Sequence, residues 1–451
     1  MFSLAFLIGG VFYCRVAKFS FFTTILFLII IFTVFGEIPS TYHWLDQVWI
    51  WPMNSYGVYD LFSLICCTLV FKLLEGGYKD INKDCRFNIN QNTLLALTSV
   101  IFFLFSLNGT RGFLVICGGV LFSIYFEVLM KRSPWERVNH KEWIVALILT
   151  LSSFLGLLII SFLTKDIPQQ WQDPYKLATL TDFNQFRDRL ISIPYTWFIL
   201  FNALPTAGQS LFSFLNISHI FNTIFSSLLI GIPLFRITCR HSQMSLNERL
   251  MISRLLFLLL MIIVASLYGD SSRTARYLLP LAYGAIFILP FYVDGWLKEK
   301  RYGLIAMVLI LLTPTYLASI KALTSYSSEE YTANQSYKFA KYLEGQGLQF
   351  GFAGPWQSNV LTVNQFSDGK VRVAIIDPDG GKLQPHRHGD KEWYEPKHHI
   401  GKTFLALPEN IYINNAKAQE LHSKAIKTLN YDGWVIDVFE HNICIDLDNK
   451  F

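Results

Sequence analysis

The chain has few charged residues for its length. Asp, Glu, Lys and Arg make up 16% of its 451 residues, against about 25% in an ordinary soluble domain. A soluble fold of this size would need more polar surface, which excludes a soluble globular protein. The net charge of +5 is spread along the chain. No Lys/Arg cluster with interleaved aromatic residues is present, so the sequence predicts no nucleic-acid partner.

Cysteine patterns that would hold a metal or a disulfide framework are also missing. None of the seven cysteines belongs to a CxxC pair, and only Cys444 lies in the C-terminal part of the chain. Packing is therefore their expected role. A cleavable signal peptide is not expected either, because Arg15 and Lys18 follow the first apolar run instead of preceding it.

Long hydrophobic runs, by contrast, are abundant. Hydrophobic types supply 52% of the residues, and a helix needs about 20 apolar residues to cross a bilayer. Ten segments are candidate spans: 2–14, 20–36, 57–74, 93–107, 112–130, 142–163, 217–235, 252–268, 277–295 and 302–320. They predict an all-α polytopic membrane domain over residues 1–322. The apolar segment 195–215 is broken by Pro205 and Gly208, and is predicted to be an interfacial or re-entrant helix.

The basic residues predict the orientation of these spans. The loops rich in Lys and Arg are expected on the cytoplasmic side; they are 72–90, 131–141, 236–251 and 296–301. Loop 37–56 has no Lys or Arg and carries three tryptophans, as outer loops with interfacial aromatic residues do. Counting helices then places the N-terminus, the long segment 164–216 and residues 323–451 outside.

Residues 323–451 have a different character, with more charge and no long apolar run. They predict a small extracytoplasmic α+β domain that begins with an amphipathic helix over 329–345. Strands are predicted at 347–353, 359–364, 370–376, 402–406 and 433–446, with turn signals at 367–369 and 379–381.

A cationic segment precedes one of the late predicted spans. Residues 269–276 read Gly-Asp-Ser-Ser-Arg-Thr-Ala-Arg and lead into Tyr277-Leu278-Leu279-Pro280. Arginine is not expected at an outer surface on topological grounds. Arg273 and Arg276 can hold a phosphate or diphosphate of a lipid headgroup through bidentate hydrogen bonds. Ordinary headgroup anchoring is an equally good interpretation.

The string Arg276–Pro280 resembles the RYLLP segment of GT-C fold membrane glycosyltransferases. These polyprenyl-phosphate-sugar-dependent enzymes are related to protein O-mannosyltransferases and aminoarabinose transferases. Three later stretches are similar to the tail domain of uncharacterised bacterial members: Gly347–Trp356 with Asn359–Val363, Trp393-Tyr394, and Thr403–Leu405. The resemblance covers about residues 55–451.

The resemblance implies a GT-C-like enzyme of a bacterial inner membrane with a polyprenyl-phosphate-linked sugar as donor. Transfer to an unknown acceptor would take place at the periplasmic face. Arg273 and Arg276 would hold the donor phosphate, and Tyr277 would help to position it. The C-terminal domain would cap the site or select the acceptor. A divalent cation is a possible cofactor, since family members use acidic residues of the first outer loop as base or metal ligand.

The predicted topology departs from the family at this acidic loop, because the first predicted helix runs inward. Asp46 in the outer loop 37–56 is the best substitute for the catalytic base. His43 lies three residues away, and one helical turn would bring the two together as an acid/base or metal pair. A solvated interfacial loop is the favoured alternative. Weaker candidates, in a segment that also carries basic residues, are Asp166, Asp173 and Asp182.

Three other groups of residues have competing interpretations. Asp60 either has a function at the membrane boundary or, as favoured, is a charge stabilised by the helix N-terminus. A histidine-rich segment comprises His386, His388, His398 and His399 with Asp390, Glu392 and Glu395. Its spacing fits no standard zinc pattern, so an exposed loop is favoured over a metal site. Trp356, Trp393 and Tyr394 either stack on a sugar or belong to a core.

Two further functions compete with the enzyme. The missing acidic loop favours a catalytically degenerate or accessory GT-C-like protein that binds a lipid-linked sugar or a partner. A transporter or flippase is least favoured, because transporters place polar or broken helices at mid-membrane and the predicted spans carry almost no internal charge.

Overall fold

The computed structural model describes residues 2–33, 57–75, 90–130, 140–165, 183–205, 208, 210–268, 275–325, 332, 335–354, 366–378, 381–386 and 391–448. The chain divides into two compact units, Met1–Thr324 and Ser325–Phe451. The first unit is helical, and the second contains a small sheet.

With one exception, the longer helices of the first unit overlap the predicted spans. In chain order they are α1 (Phe2–Val16), α2 (Phe21–Thr33), α3 (Gly57–Glu75), α4 (Gln91–Ser106), α5 (Gly119–Met130), α6 (His140–Leu163), α7 (Phe183–Leu200), α8 (Phe214–Cys239), α9 (Leu246–Tyr268), α10 (Leu279–Ile286), α11 (Leu289–Lys298) and α12 (Tyr302–Ser325). A π-helical segment, Phe113–Gly118, leads into α5.

Among the residues that the structure describes, five helical stretches are long and apolar enough to cross a membrane, by length and composition. They are Phe113–Met130, Glu142–Leu163, Phe214–Cys239, Leu246–Ser266 and Leu279–Lys298. Four shorter apolar helices accompany them: Ala5–Val16, Phe21–Ile31, Gln91–Ser106 and Tyr302–Leu317. These findings are consistent with a membrane protein.

The segment 195–215 differs from its prediction. Helix α7 ends at Leu200, and the next helix begins only at Phe214. Asn202 has a φ of 51°, a left-handed conformation that interrupts a right-handed helix. Pro205 then disfavours helical geometry in the residue before it. The helix therefore lies earlier in the chain than predicted, over 183–200.

The span that begins at Leu279 is broken in its middle. Pro290 has no N–H to donate into the helix, and the Phe291 N–H bonds to the Ile288 carbonyl in a tighter turn (3.0 Å). The Phe287 carbonyl instead accepts a hydrogen bond from the hydroxyl of Tyr13 in α1 (2.6 Å). A neighbouring helix thus satisfies a backbone group that the break has released.

The second unit is built on a six-stranded mixed sheet in the order β3-β2-β1-β4-β6-β5. The strands are β1 (Phe350–Ala353), β2 (Arg372–Asp377), β3 (Gln384–Pro385), β4 (Thr403–Pro408), β5 (Lys427–Tyr431) and β6 (Trp434–Phe439). Strands β2, β1 and β4 are parallel, and β6 runs antiparallel to both β4 and β5.

Hydrophobic clusters lie on both faces of this sheet. Helix α13 (Gln335–Gly345) places Phe339 and Leu343 against one face, with Phe404. The helices α14 (Glu409–Asn414) and α15 (Ala416–His422) contribute to the cluster on the other face, together with Phe352. The unit therefore has its own core.

Candidate functional site

The largest fully buried side chain in the described structure is the charged Arg254 of α9. Its Nη2 lies 3.8 Å from Oδ1 of Asp60 in α3, and both side chains are 0% exposed. Its Nε donates a hydrogen bond to the Ser63 hydroxyl, one turn further along α3 (2.8 Å). An ionised pair within an apolar helical unit is costly to bury, so this cluster is the first candidate for a functional site.

Two glycines make room for the guanidinium. A Cβ at Gly119 in α5 would lie 3.0 Å from Arg254 Cγ, and a Cβ at Gly284 in α10 would lie 3.3 Å from Nη1. The Phe287 ring centroid lies 5.9 Å from Cζ, within reach of a cation–π interaction. Helices α3, α5, α9 and α10 therefore enclose the side chain together.

Part of the hydrogen-bonding capacity of the cluster is unused. Within the described part of the chain, neither carboxylate oxygen of Asp60 accepts a hydrogen bond, and Arg254 donates none from Nη1 or Nη2. The 3.8 Å separation is an ion-pair distance but too long for a hydrogen bond. Such buried polar groups require an explanation. The unused donors and acceptors are available to a polar ligand.

This cluster bears on two expectations from the sequence. Asp60 lies in the first turn of α3, as the favoured interpretation expects, and it is also enclosed and faces Arg254. The expectation that the spans carry almost no internal charge is wrong here, because Arg254, which is not a sequence candidate, lies within α9. The available signal was an arginine inside an otherwise apolar run after Leu250.

Two further buried carboxylates lie near helix ends, and each forms a bidentate ion pair with an arginine. Arg249 donates from Nη2 and Nε to both oxygens of Glu127 (2.6 and 2.8 Å). Arg236 donates in the same way to both oxygens of Glu248 (2.7 and 3.2 Å). Paired geometry of this kind is typical of structural links. They connect α5 and α8 to the start of α9.

A turn that includes Arg276 follows the opposite end of α9. Residues Ala275–Leu278 form a 3-10 turn that leads directly into α10. The backbone of Arg276 belongs to this turn, whereas Arg273 lies outside the described residues. Tyr277 is half-buried and packs against the core of the helical unit.

Helix α7 packs against this turn. Arg189 of α7 also donates from Nη1 to the carbonyl of Ser266, near the end of α9 (3.4 Å). At ~1.5 Å rise per residue, Gly284 lies roughly 9 Å along α10 from Leu278. Helix α10 therefore connects the turn to the enclosed Arg254.

The other predicted site residues are not brought together by the described structure. His43 and Asp46 lie outside the described residues, as do Asp166, Asp173 and Asp182. In the histidine-rich segment His388 and Asp390 are likewise not described. Within the described ranges, no three His, Cys, Asp or Glu side chains form a group that could hold a metal ion.

Two of the aromatic candidates are described, and both belong to or pack against a hydrophobic core of the second unit. Tyr394 is buried, and its hydroxyl donates to the carbonyl of Ile375. Trp393 is partly buried and stacks on His398, with ring centroids 6.2 Å apart. Trp356 lies outside the described residues.

No protein-family model, no curated protein and no solved structure matches the chain.

Proposed function

We propose that the chain is a membrane glycosyltransferase that transfers a sugar from a polyprenyl-phosphate donor to an acceptor at the periplasmic face of a bacterial inner membrane. In this proposal all ten apolar segments cross the membrane in a GT-C-like arrangement. The observation that carries it is the position of the Arg276–Pro280 segment. This segment is the 3-10 turn and first helical turn that enter α10, which also packs on the Arg254–Asp60 pair.

Donor binding is assigned to this turn. The guanidinium groups of Arg276 and Arg273 would bind the phosphate oxygens by charge-assisted hydrogen bonds. Tyr277 would help to orient the donor. Arg189 on the neighbouring α7 adds a further cation at this end of α9. Since arginine remains charged throughout the physiological range, phosphate binding at such a site would not depend on proton uptake.

The transfer itself needs a nucleophile, a base and a leaving group. The acceptor hydroxyl oxygen would form a bond to the anomeric carbon, while the bond from that carbon to the phosphate oxygen breaks. Polyprenyl phosphate would leave with the bonding electrons, and the hydroxyl proton would pass to a carboxylate. We assign that role to Asp46, with His43 beside it. Asp60 is fully enclosed, and we assign it and Arg254 to positioning α10.

Donor turnover tests this proposal without knowledge of the acceptor. The protein would be reconstituted in liposomes with radiolabelled polyprenyl-phosphate sugars. An extract of the membrane in which the protein occurs would supply the acceptor, and release of polyprenyl phosphate would be measured. Arg276→Ala should lower turnover at least about a hundredfold, because a bound phosphate loses its charged partner. Arg301→Ala is the matched control, an exposed arginine paired with Glu299 in the loop before α12. Full turnover in Arg276→Ala would contradict the donor assignment.

A binding protein without catalysis is the alternative within the same family. In that case the wild type would bind polyprenyl phosphate in an Arg276-dependent manner, but no donor would be consumed with any acceptor fraction. Native mass spectrometry of the two variants would measure the binding separately from turnover.

Lipid-linked substrate transport is a second candidate, and specific observations favour it. Transporters use enclosed charges and discontinuous helices at mid-membrane. This chain has both the Arg254–Asp60 pair and a helix broken at Phe287–Ile288. Movement of a fluorescent polyprenyl phosphate sugar across the liposome bilayer, without loss of the sugar, would support transport over transfer.

A further inference from the structure

We propose that the second unit binds an anionic oligosaccharide, one that carries carboxylate or phosphate groups, in a groove across the amino ends of its strands. The residues that define this cationic groove are Gln349, Lys370, Arg372, His399, Lys402 and Lys427. Two recesses of ≈ 250 and ≈ 320 Å³ form it, and Gln349 and His399 line both of them.

The sheet topology brings these cations to one edge. Strands β1, β2 and β4 are parallel, and β5 has the same direction as β4 because both are antiparallel to β6. Their amino ends therefore meet at one edge of the sheet. Basic residues stand at three of these four strand starts: Arg372 begins β2, Lys402 precedes β4, and Lys427 begins β5.

The length of the groove favours an extended ligand over a single anion. From β2 to β5 the sheet order passes through β1, β4 and β6, which corresponds to about 19 Å at ~4.8 Å per strand. Arg372 therefore lies near one end of the groove and Lys427 near the other. A ligand that contacts both must be a chain of several units.

Positive charge in the groove exceeds the negative charge that neutralises it. Lys370 pairs with Glu344 (2.6 Å), and Lys402 pairs with Glu440 (3.3 Å). Among the described residues, the Lys427 ammonium donates to the neutral Gln346 side chain (3.4 Å) and pairs with no carboxylate. Arg372 forms no ion pair with any residue that the structure describes. The cations at the two ends of the groove are thus the ones available to a ligand.

Apolar and ring surfaces line the same groove, as sugar recognition requires. The His399 imidazole stacks on Phe350, with centroids 4.9 Å apart and planes at 22°. Its Nε2–H donates to the Lys402 carbonyl (3.0 Å), which fixes the ring. Ile400 is 91% exposed beside it. The ring and apolar surfaces suit the C–H faces of a sugar, and the neighbouring cations suit its anionic groups. The groove therefore favours an anionic oligosaccharide over a polyanion that has no C–H faces.

The groove would hold the glycan to which the proposed transferase adds a sugar. This biological role rests on the proposed function, whereas the binding of an anionic oligosaccharide to the groove does not. Binding is measured with the full chain in nanodiscs, by isothermal titration with an oligogalacturonate hexamer. Arg372→Ala and Lys427→Ala should each weaken binding about tenfold, as the loss of one charge-assisted contact does. Lys382→Ala, an exposed lysine beyond the carboxyl end of β2, should leave binding unchanged.

Three probes decide between the classes of ligand. Neutral maltohexaose should bind at least tenfold more weakly than the hexamer, and so should inorganic polyphosphate. Equal binding of polyphosphate, no binding of the hexamer, or an effect of only one of the two end variants would overturn the inference. Arg276→Ala should bind the hexamer normally, so loss of transfer in that variant tests the proposed function separately.

Discussion

At the scale of single residues, the enclosed Arg254 is the feature with the largest energetic consequence. A buried ion pair contributes little net stability, but removal of one partner leaves the other charge uncompensated. Within the described structure Asp60 accepts no hydrogen bond, and the Arg254 guanidinium faces it at an ion-pair distance of 3.8 Å. Arg254 and Asp60 are therefore expected to act as one unit in mutagenesis.

Arg254→Met should lower the free energy of unfolding by about 3–5 kcal/mol, since it leaves the buried Asp60 carboxyl without its ion-pair partner. The double variant Asp60→Asn/Arg254→Met should regain most of this loss. Unfolding in mixed micelles measures both, with Arg301→Met as the surface control. A double variant no more stable than the single one would contradict the pairing.

The same double variant separates structure from function. If the pair only positions α10, the stable double variant should retain donor turnover. If Arg254 contacts the substrate, the double variant should fold and yet be inactive.

Glu344 provides a pH-dependent contribution in the second unit. Hydrogen bonds from Lys341 and then Lys370 lower the pKa of Glu344 to about 2, from 4.5. Because its pKa is lower in the folded state, its contribution to stability is fully present above about pH 4.5. The contribution is lost as the pH falls toward 2.

Glu344→Gln should therefore be less stable than the wild type at neutral pH, and the difference should vanish as the pH approaches 2. Thermal unfolding followed at pH 7, 4 and 2 measures it. A difference that stays constant over this range would show that the ion pairs are not its cause.

These residue pairings could not be read from the sequence. Asp60 and Arg254 belong to different apolar segments, and only the packing of α3 against α9 and α10 brings them together. The sequence does show a charge inside each run, which is unusual in a span and is a sufficient reason to examine such residues.

At the scale of elements, the sequence predicts the helices and strands that have a clear local pattern of apolar residues. The apolar runs form helices, and the helix predicted over 329–345 is described as α13 over Gln335–Gly345. The strands predicted at 370–376 and 402–406 are β2 and β4. The predicted strand at 359–364 lies outside the described residues.

The sequence does not predict two of the strands, and each omission has a physical reason. Strand β3 has only two residues, which is too short to show any alternation. Strand β5, Lys-Thr-Leu-Asn-Tyr, is a largely exposed edge strand with little apolar signal. Its pairing with β6 supplies what its own sequence does not. The long predicted strand 433–446 correspondingly ends at Phe439.

A close approach within the sheet gives a test at this scale. A Cβ at Gly351 in β1 would lie 2.4–2.5 Å from the Phe404 ring of β4. Gly351→Ala should therefore lower stability by about 1–3 kcal/mol or more through overpacking. Gly345→Ala at the end of α13, where the added Cβ meets no atom within 4 Å, is the control. Equal stability of both variants in thermal unfolding would contradict the packing.

At the scale of the whole molecule, the chain combines an apolar helical unit with a separately cored sheet unit. The sequence predicts this division from composition alone, since charge rises as the long apolar runs end. The resemblance to membrane glycosyltransferases adds a function to the division, and that function stays a proposal. Its proposed site, the turn at Ala275–Leu278, comes from the sequence, where Arg273 and Arg276 stand at a predicted outer surface.

The central claim is that the turn at Ala275–Leu278 receives the phosphate of a lipid-linked donor. The most direct measurement is photo-crosslinking of the membrane-embedded protein with a polyprenyl phosphate that carries a diazirine next to the phosphate, followed by peptide mass spectrometry. Cross-links should fall on residues 273–280 and on α7, and Arg276→Ala should remove them. Cross-links concentrated instead near Arg236 and Arg249, at the other end of α9, would contradict the account.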